Sequence, residues 1–372
     1  MRTTLCSFFC LILFTNCYGQ TSDFFYSRGV DKYNNHDLSG ALADFTLAIE
    51  KDPKNVGALY NRGTLRYELK DYKNAIADYD SAIAIEPGNV DLWHNRASTK
   101  DAMNDYAGAI NDYSMAIQLD PGSVSAYLNR GLVKGKTGDF PGDIEDDTRA
   151  IEINAANAVA WKQRADAKVG LTDFRGGILD YTKAIKLDPN MAGAYLFRGY
   201  SEDKLQIYDT ALADYTAAIR LDPKSALAYY NRSLLKRKLK DYKGAIADVT
   251  TAIRFEPQYA LAICNRGAMK TEMKDTLGAI ADFTLAISVD TTLAMAYFNR
   301  GNILTSQRRF AEAIPDFTRV IALTPNDDNA YYLRGFLYAQ MEGMKEKGCA
   351  DLKKAMEMGN TDAVDALLKF CQ

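Results

Sequence analysis

The sequence contains few of the residues on which most catalytic and metal sites depend. Only two histidines, His36 and His94, occur among 372 residues, and they lie far apart in the chain. This spacing provides neither a metal-ligand set nor an acid–base pair. Nucleophile-elbow and zinc-protease motifs are absent as well. We therefore expect a protein without enzyme activity, cofactor or metal ion.

The chain also lacks a basic excess and a long hydrophobic run. It has 45 Lys and Arg against 48 Asp and Glu, a net charge of −3. Phosphate groups attract proteins with clustered positive charge, so nucleic acid is not an expected partner. The apolar run 5–14 is about half the ~20 residues that a transmembrane helix needs, so no transmembrane span is expected.

The first 19 residues instead have the pattern of a secretory signal peptide. A positive start at Arg2 precedes the apolar run, and small residues stand at Cys17 and Gly19. This pattern predicts cleavage before Gln20. Lipid attachment at Cys17 is the alternative, although the preceding residues fit a bacterial lipobox poorly. The protein is therefore expected to be exported: periplasmic or associated with the outer membrane of a bacterium, or secreted.

A 34-residue period runs through the rest of the chain, which is the signature of a repeat array. An arginine marks ten successive copies: Arg28, Arg62, Arg96, Arg130, Arg164, Arg198, Arg232, Arg266, Arg300 and Arg334. An aspartate follows the first nine after 16 residues and the tenth after 17: Asp44, Asp78, Asp112, Asp146, Asp180, Asp214, Asp248, Asp282, Asp316 and Asp351.

Each copy has the pattern of two helices. In residues 56–89, apolar side chains recur at intervals of three and four in both halves. Lys70-Asp71 separates the halves, and Glu86-Pro87-Gly88-Asn89 ends the unit with residues that stop one helix and start the next. One such hairpin is too small to bury its own apolar face, so neighbouring copies are expected to stack.

This pattern resembles the tetratricopeptide repeat family. A small residue recurs one position after each arginine, as at Gly63 and Gly301, and an aromatic recurs one position after most of the aspartates, as at Tyr79 and Phe317. The resemblance implies an all-α, right-handed superhelical solenoid. Its ten hairpins would occupy residues 22–360, and a capping helix would occupy residues 361–372.

The arginine and aspartate of one copy lie eight residues before and after the predicted hairpin turn. They should therefore meet across the hairpin, and each aspartate is expected between its own arginine and that of the next copy. We interpret the two columns as a structural charge ladder. A row of anion-binding sites is the alternative.

The resemblance also implies a partner site. Proteins of this family generally bind peptides or partner domains in a concave groove lined by the first helix of each hairpin. The predicted groove residues are Tyr26, Tyr33, Tyr60, Tyr67, His94, Lys162, Tyr230, Phe298 and Tyr332, with Leu128, Leu196 and Cys264 in the same columns. Packing of these rings between neighbouring helices is the alternative interpretation.

The fourth copy departs most from the repeat. Asp143 replaces a small contact residue, Asp147 replaces the aromatic, and glycines crowd the same stretch. Because glycine weakens helices by about 1 kcal/mol relative to alanine, residues 135–177 are expected to be the softest part of the array. Sequence drift in a tolerant repeat and a hinge are both consistent with this pattern.

Asn360 lies in a break between two predicted helices, and Cys349 and Cys371 stand 11 residues before and after it. Antiparallel helices would bring them face to face, as a disulfide or as two buried thiols. The sequence as a whole predicts an exported, non-enzymatic scaffold that binds a protein or peptide partner. Its alternative is a structural or assembly factor attached to the outer membrane.

Overall fold

The computed structural model describes residues 21–371, in which every regular element is an α-helix. The predicted signal peptide and Cys17 lie outside the described residues. The chain divides into two compact units, the first ending at Leu187 and the second starting at Asp188. None of the helices in residues 21–371 has the length and apolar composition that a membrane span requires.

The helices have nearly constant lengths that follow the 34-residue period. The first unit contains α1 (Ser22–Asn34), α2 (Leu38–Lys51), α3 (Val56–Glu68), α4 (Tyr72–Ile85), α5 (Val90–Ala102), α6 (Tyr106–Leu119), α7 (Val124–Lys136), α8 (Phe140–Ile153), α9 (Ala158–Gly170) and α10 (Phe174–Leu187). The second contains α11 (Ala192–Lys204), α12 (Tyr208–Leu221), α13 (Ala226–Lys238), α14 (Tyr242–Phe255), α15 (Ala260–Glu272), α16 (Thr276–Val289), α17 (Ala294–Ser306), α18 (Phe310–Leu323), α19 (Asp328–Ala339), α20 (Lys345–Glu357) and α21 (Asp362–Phe370).

The helices pair in chain order. Each odd-numbered helix up to α19 packs on the helix that follows it, which gives five hairpins in each unit. Within a unit, the second helix of one hairpin also packs on the first helix of the next, and α21 packs on α20. Each unit is therefore an all-α solenoid whose hairpins bury each other's apolar faces.

A short turn with a fixed geometry closes most hairpins. In the third, Asn104 adopts a left-handed conformation with φ of 62°, and its backbone N–H donates to the Asp101 carbonyl at 2.9 Å. Asp105 then caps α6, since its carboxylate accepts from the Gly108 N–H at 3.0 Å. Left-handed residues stand at equivalent turns: His36, Lys70, Gly138, Thr172, Gln206, Lys240, Lys274 and Arg308.

Close contact between the two helices of a hairpin explains the small residue beside each arginine. Aromatic rings on the second helices, such as Tyr79 and Phe317, are almost fully buried. A Cβ atom added at Gly63 would lie 2.9 Å from the Tyr79 ring, and one at Gly301 would lie 3.0 Å from the Phe317 ring. A larger residue would push the helices apart, so this column specifies the hairpin geometry.

The fourth hairpin has continuous helices despite its glycines and proline. Pro141 lies in the first turn of α8, where a helix needs no N–H donor. Gly138 occupies the left-handed turn position with φ of 86°, and the Asp139 carboxylate accepts from the Gly142 N–H at 3.0 Å. These residues therefore serve the turn, while the softness of residues 135–177 stays a prediction.

Candidate functional site

All ten arginines bind the aspartate of their own hairpin with two hydrogen bonds. In the second hairpin, Arg62 Nε donates to Asp78 Oδ2 at 3.0 Å and Arg62 Nη2 donates to Oδ1 at 2.7 Å. The same two-pronged geometry holds in the tenth hairpin, where Arg334 reaches Asp351 at 2.7 and 2.8 Å. Parallel N–H···O bonds of this kind combine charge with fixed geometry, so each pair locks the two helices of a hairpin in register.

A second cation reaches the same carboxylate in seven hairpins. It stands four residues after the arginine, one turn along the same helix, at Lys32, Arg66, Lys100, Lys134, Lys168, Lys236 and Lys270. Arg66 Nη1, for example, lies 2.6 Å from Asp78 Oδ2. The sequence signal for this contact is a Lys or Arg four residues after seven of the ten arginines, a pattern that the sequence analysis above does not connect with the aspartate.

The link between hairpins differs from the sequence prediction. An arginine does not reach the preceding aspartate; its Nη1 donates to a side chain two residues beyond it. Arg130 donates to Ser114 Oγ at 3.0 Å, and Arg300 donates to Thr284 Oγ1 at 2.9 Å. Residues two apart point to different sides of a helix, so the aspartate faces its own hairpin while the hydroxyl faces the next. The expected ladder of alternating charge is therefore wrong in this detail.

The sixth hairpin has an acid at the position where seven other hairpins have their second cation. Glu202 lies four residues after Arg198 and is 7% exposed, and one of its carboxylate oxygens has no hydrogen-bond partner in residues 21–371. Burial, and then the nearby charge of Asp214, raises the pKa of Glu202 above its ordinary value. Within the described chain, Asp214 is paired with Arg198, whose Nε lies 2.6 Å from Asp214 Oδ2, and lacks the second cation found in seven other hairpins.

The predicted groove residues lie on the first helices of their hairpins, but most are half-buried in contacts between neighbouring helices. The Tyr60 ring lies 6.4 Å from the Tyr79 ring, and the Phe298 ring lies 5.9 Å from that of Phe317. His94 packs on Tyr113 at 5.3 Å, and burial lowers the pKa of its imidazole.

The remaining predicted groove residues differ in accessibility. Tyr67 is exposed, and Tyr33 donates a hydrogen bond to Glu68 of the next first helix. Tyr26, Lys162 and Tyr332 are half-buried, and the Lys162 ammonium pairs with Asp166 at 2.6 Å. The rims of the surface are therefore accessible, while its floor consists of packed rings.

Tyr230 lies inside the fold and not on an accessible surface. Only 6% of it is exposed, its ring lies 4.8 Å from the Tyr259 ring, and its hydroxyl accepts from Asn265 at 2.7 Å. Three further members of the same columns, Leu128, Leu196 and Cys264, are buried as well. The prediction that these four contact a partner is wrong for this structure, because the adjoining helices cover them.

Ion pairs between successive first helices form a second network, which we did not expect from the sequence. Lys136 pairs with Asp101 at 2.7 Å, and Lys238 pairs with Asp203 at 2.7 Å. Arg237 pairs in the same way with Glu272. Each pair joins residues 35 apart, one more than the repeat period. Opposite charges at this spacing in the sequence indicate an ion pair between successive first helices.

Open cavities lie between successive first helices in both units, and two of them have a phenylalanine in their lining. The first has a volume of about 230 Å³ and is lined by Val30, Tyr33, Asn34, Phe45, Asn61 and Thr64. The second, of about 420 Å³, is lined by Arg237, Ala268, Thr271, Glu272, Phe283, Asn299, Asn302, Ile303 and Ser306. Both combine an aromatic floor with amide and hydroxyl groups on the walls. Such a surface can accept an apolar side chain and hydrogen bond to the backbone of an extended segment.

Cys349 and Cys371 form a disulfide that joins α20 to the residue after α21. The two helices also bury Leu352, Ala355 and Ala363 against each other. Cys264 is the free cysteine of the described chain, and burial raises the pKa of its thiol to about 11. Within residues 21–371, no group of three or more His, Cys, Asp or Glu side chains is arranged to hold a metal ion.

Helix hairpins of one repeating length, packed face to face in each unit, define a helical repeat protein of the α-solenoid class. Family models described as TPR repeat or tetratricopeptide repeat match residues 56–89, 102–138, 204–260 and 301–342. Together with the repeat residues described above, these matches show that the chain is a tetratricopeptide repeat protein.

Solved structures share the fold at low sequence identity. A tetratricopeptide repeat protein from Parabacteroides merdae is 21% identical, with 64% of this chain and 94% of that chain covered and a TM-score of 0.54. The Cut9–Hcn1 hetero-tetramer of APC/C is 15% identical, with 95% and 84% covered and a TM-score of 0.50. No curated protein sequence matches the chain significantly.

Proposed function

We propose that this protein is a non-enzymatic scaffold that binds extended segments of partner proteins on the surface of its first helices. The observation that carries the proposal is the cavity between α1 and α3, where apolar and hydrogen-bonding groups converge. Phe45 supplies the floor, and Asn61 and Thr64 supply polar groups beside it. The chemistry suits a peptide backbone carrying an apolar side chain, and the cavity brings together no acid–base pair and no nucleophile.

Substitution of two tyrosines on the surface of the first helices should weaken partner binding: Tyr33, which lines this cavity, and Tyr67, which is exposed on α3. Peptides selected from a random display library on the intact protein are expected to lose at least about tenfold in affinity for Tyr33→Ala or Tyr67→Ala, because tyrosine is enriched among the residues that dominate binding energy. Binding can be measured by fluorescence anisotropy, with circular dichroism as the check on folding. Tyr60 and Tyr332 are less informative positions than Tyr67, since both are half-buried while Tyr67 is exposed.

Leu179→Ala is the matched control, because Leu179 on α10 is 72% exposed and lies on a second helix. It should leave the affinity unchanged. Selected peptides that bind Tyr33→Ala and Tyr67→Ala as tightly as the unaltered protein would place the partner surface elsewhere.

We also propose that the protein works outside the cytoplasm, in the periplasm or at the outer membrane of a bacterium. The signal-peptide pattern of residues 1–19 supports export, and the disulfide between Cys349 and Cys371 supports an oxidising compartment. Attachment to the outer membrane through a lipid on Cys17 is the second candidate, since a cysteine follows the apolar run.

Detergent partitioning of the native protein separates these two candidates. A cleaved, unmodified chain should stay in the aqueous phase, with or without a Cys17→Ser substitution. A lipid-modified chain should enter the detergent phase and lose that behaviour when Cys17 is replaced. Recovery of the protein from the cytoplasmic fraction with its first 19 residues intact would contradict export itself.

A further inference from the structure

The fourth hairpin contains two buried acids that form no ion pair with a cation of residues 21–371. Asp143 is 6% exposed and Asp147 is fully buried, at positions where the third hairpin has Ala109 and Tyr113. One oxygen of Asp143 and both oxygens of Asp147 have no hydrogen-bond partner among the described residues. Burial of an unpaired carboxylate is costly, so this arrangement needs a proton on at least one of the two groups.

The surrounding helix is shaped to accommodate the acids. A Cβ atom added at Gly135 on α7 would lie 2.5 Å from Asp143 Oδ2, and one at Gly131 would lie 2.7 Å from Asp143 Oδ1. Five other hairpins carry Tyr33, Tyr67, Asp101, Val169 and Asp203 at the position of Gly135. Gly135 therefore leaves room for the Asp143 carboxyl group, which a larger side chain on α7 would displace. This match between the two residues argues against simple sequence drift.

The cations nearest the pair are bound to a different acid. On α7, the Arg130 guanidinium and the Lys134 ammonium both bind Asp146, at 2.6 and 2.8 Å. On α8, that same Asp146 adds negative charge beside the pair. On α9, Asp166 faces the pair and is bound by Lys162 and by the Tyr181 hydroxyl.

We infer that Asp143 and Asp147 share a proton and make the α7–α8 hairpin a pH-sensitive element, which loosens when the second carboxyl group ionises. When Asp147 holds the proton, its carboxyl group can donate a hydrogen bond to Asp143, so that buried oxygens which otherwise lack a partner form a hydrogen bond. Loss of that proton leaves two negative charges in contact inside the hairpin. The device is independent of the partner-binding proposal, and it places a pH-dependent opening in the first unit.

The direction of the pH effect follows from the two titrations. Burial and the neighbouring acids raise the pKa of Asp143 to about 6 and that of Asp147 to about 9. Both values lie above the ordinary value of about 4 that an opened hairpin would restore. The closed hairpin thus binds more protons than the open one between about pH 4 and pH 9, so its stability falls as the pH rises through this window.

Hydrogen exchange measured by mass spectrometry on the full mature chain tests the inference. After correction for intrinsic exchange rates, the opening constant of α7–α8 should rise roughly a thousandfold between pH 5.5 and pH 8.5, because about one proton is released on opening across these three pH units. The α5–α6 hairpin, with Ala109 and Tyr113 in the equivalent positions, should show no such rise and serves as the internal control.

Two variants make the test specific. Asp143→Ala combined with Asp147→Tyr restores the residues of the third hairpin and should abolish the pH dependence. Asp147→Asn removes one titration with little change in shape and should reduce it, and it should remove the infrared band of a protonated carboxyl group at neutral pH. A pH-independent opening constant in the unaltered protein, or an undiminished rise in both variants, would overturn the inference.

Discussion

Arg198→Leu is expected to be the most damaging of the ten possible arginine substitutions, with a loss of about 3–5 kcal/mol in the free energy of unfolding. The cost arises because the substitution strands the buried Asp214, which is 5% exposed. In seven hairpins a second cation would remain beside the carboxylate, but the sixth hairpin has Glu202 at that position. Removing Arg198 would therefore leave two buried acids close together without a cation at either of these positions.

Arg232→Leu is the matched comparison. It breaks the same two hydrogen bonds in the next hairpin, yet Lys236 remains 2.8 Å from Asp248 Oδ2. We expect it to shift the midpoint of urea unfolding less than Arg198→Leu does. Lys204→Leu, which removes an exposed cation from the same helix as Arg198, should have the smallest effect. Hydrogen exchange in α11 and α12 would locate the loss, since long repeat arrays need not unfold in one step.

A second substitution provides the test of mechanism. Glu202→Lys supplies the missing cation and should stabilise the sixth hairpin by itself. In combination with Arg198→Leu, it should recover much of the loss. Equal shifts for Arg198→Leu and Arg232→Leu, together with no recovery by Glu202→Lys, would mean that these charges contribute little to stability.

The hairpins and their internal contacts follow from the sequence because they depend on spacing alone. A period of 34 residues with a turn at its centre places Arg62 opposite Asp78, whichever residues surround them. The same holds for Gly63 and Tyr79, whose sizes must match where the helices meet. Ten copies of one pattern also average out the uncertainty in any single helix boundary.

The accessibility of the surface residues does not follow from spacing, because it depends on neighbours that differ between copies. Tyr60 and Tyr230 occupy the same repeat position, yet Tyr60 is half-buried and Tyr230 is buried. The difference lies one hairpin further on: Tyr259 covers the Tyr230 ring, and the equivalent residue beside Tyr60 is Asn89. The repeat position of a residue therefore predicts which helix carries its side chain, but not whether a partner can reach that side chain.

Reduction of the disulfide between Cys349 and Cys371 is expected to release the terminal helix α21. The disulfide closes a loop with a sequence separation of 22 and so lowers the conformational entropy of the unfolded chain. This effect stabilises the folded state by about 3 kcal/mol. The helix has only nine residues, too few to be stable in isolation. Its attachment therefore depends on the disulfide and on the apolar contacts that Ala363 and Ala366 make with α20.

The consequence of that release should extend beyond the helix itself. Leu352 and Ala355 on α20 are fully buried, and they would become exposed when α21 detaches. We expect reductant to increase hydrogen exchange in α20 and α21, to increase binding of a hydrophobic dye, and to lower the unfolding midpoint of the last hairpin. The double variant Cys349→Ser and Cys371→Ser should show the same changes without reductant and should not respond further when reductant is added. Reduction removes only one covalent link from this end of the described chain, the disulfide. Identical dye binding and hydrogen exchange in oxidised and reduced protein would therefore mean that the apolar contacts alone hold α21 in place.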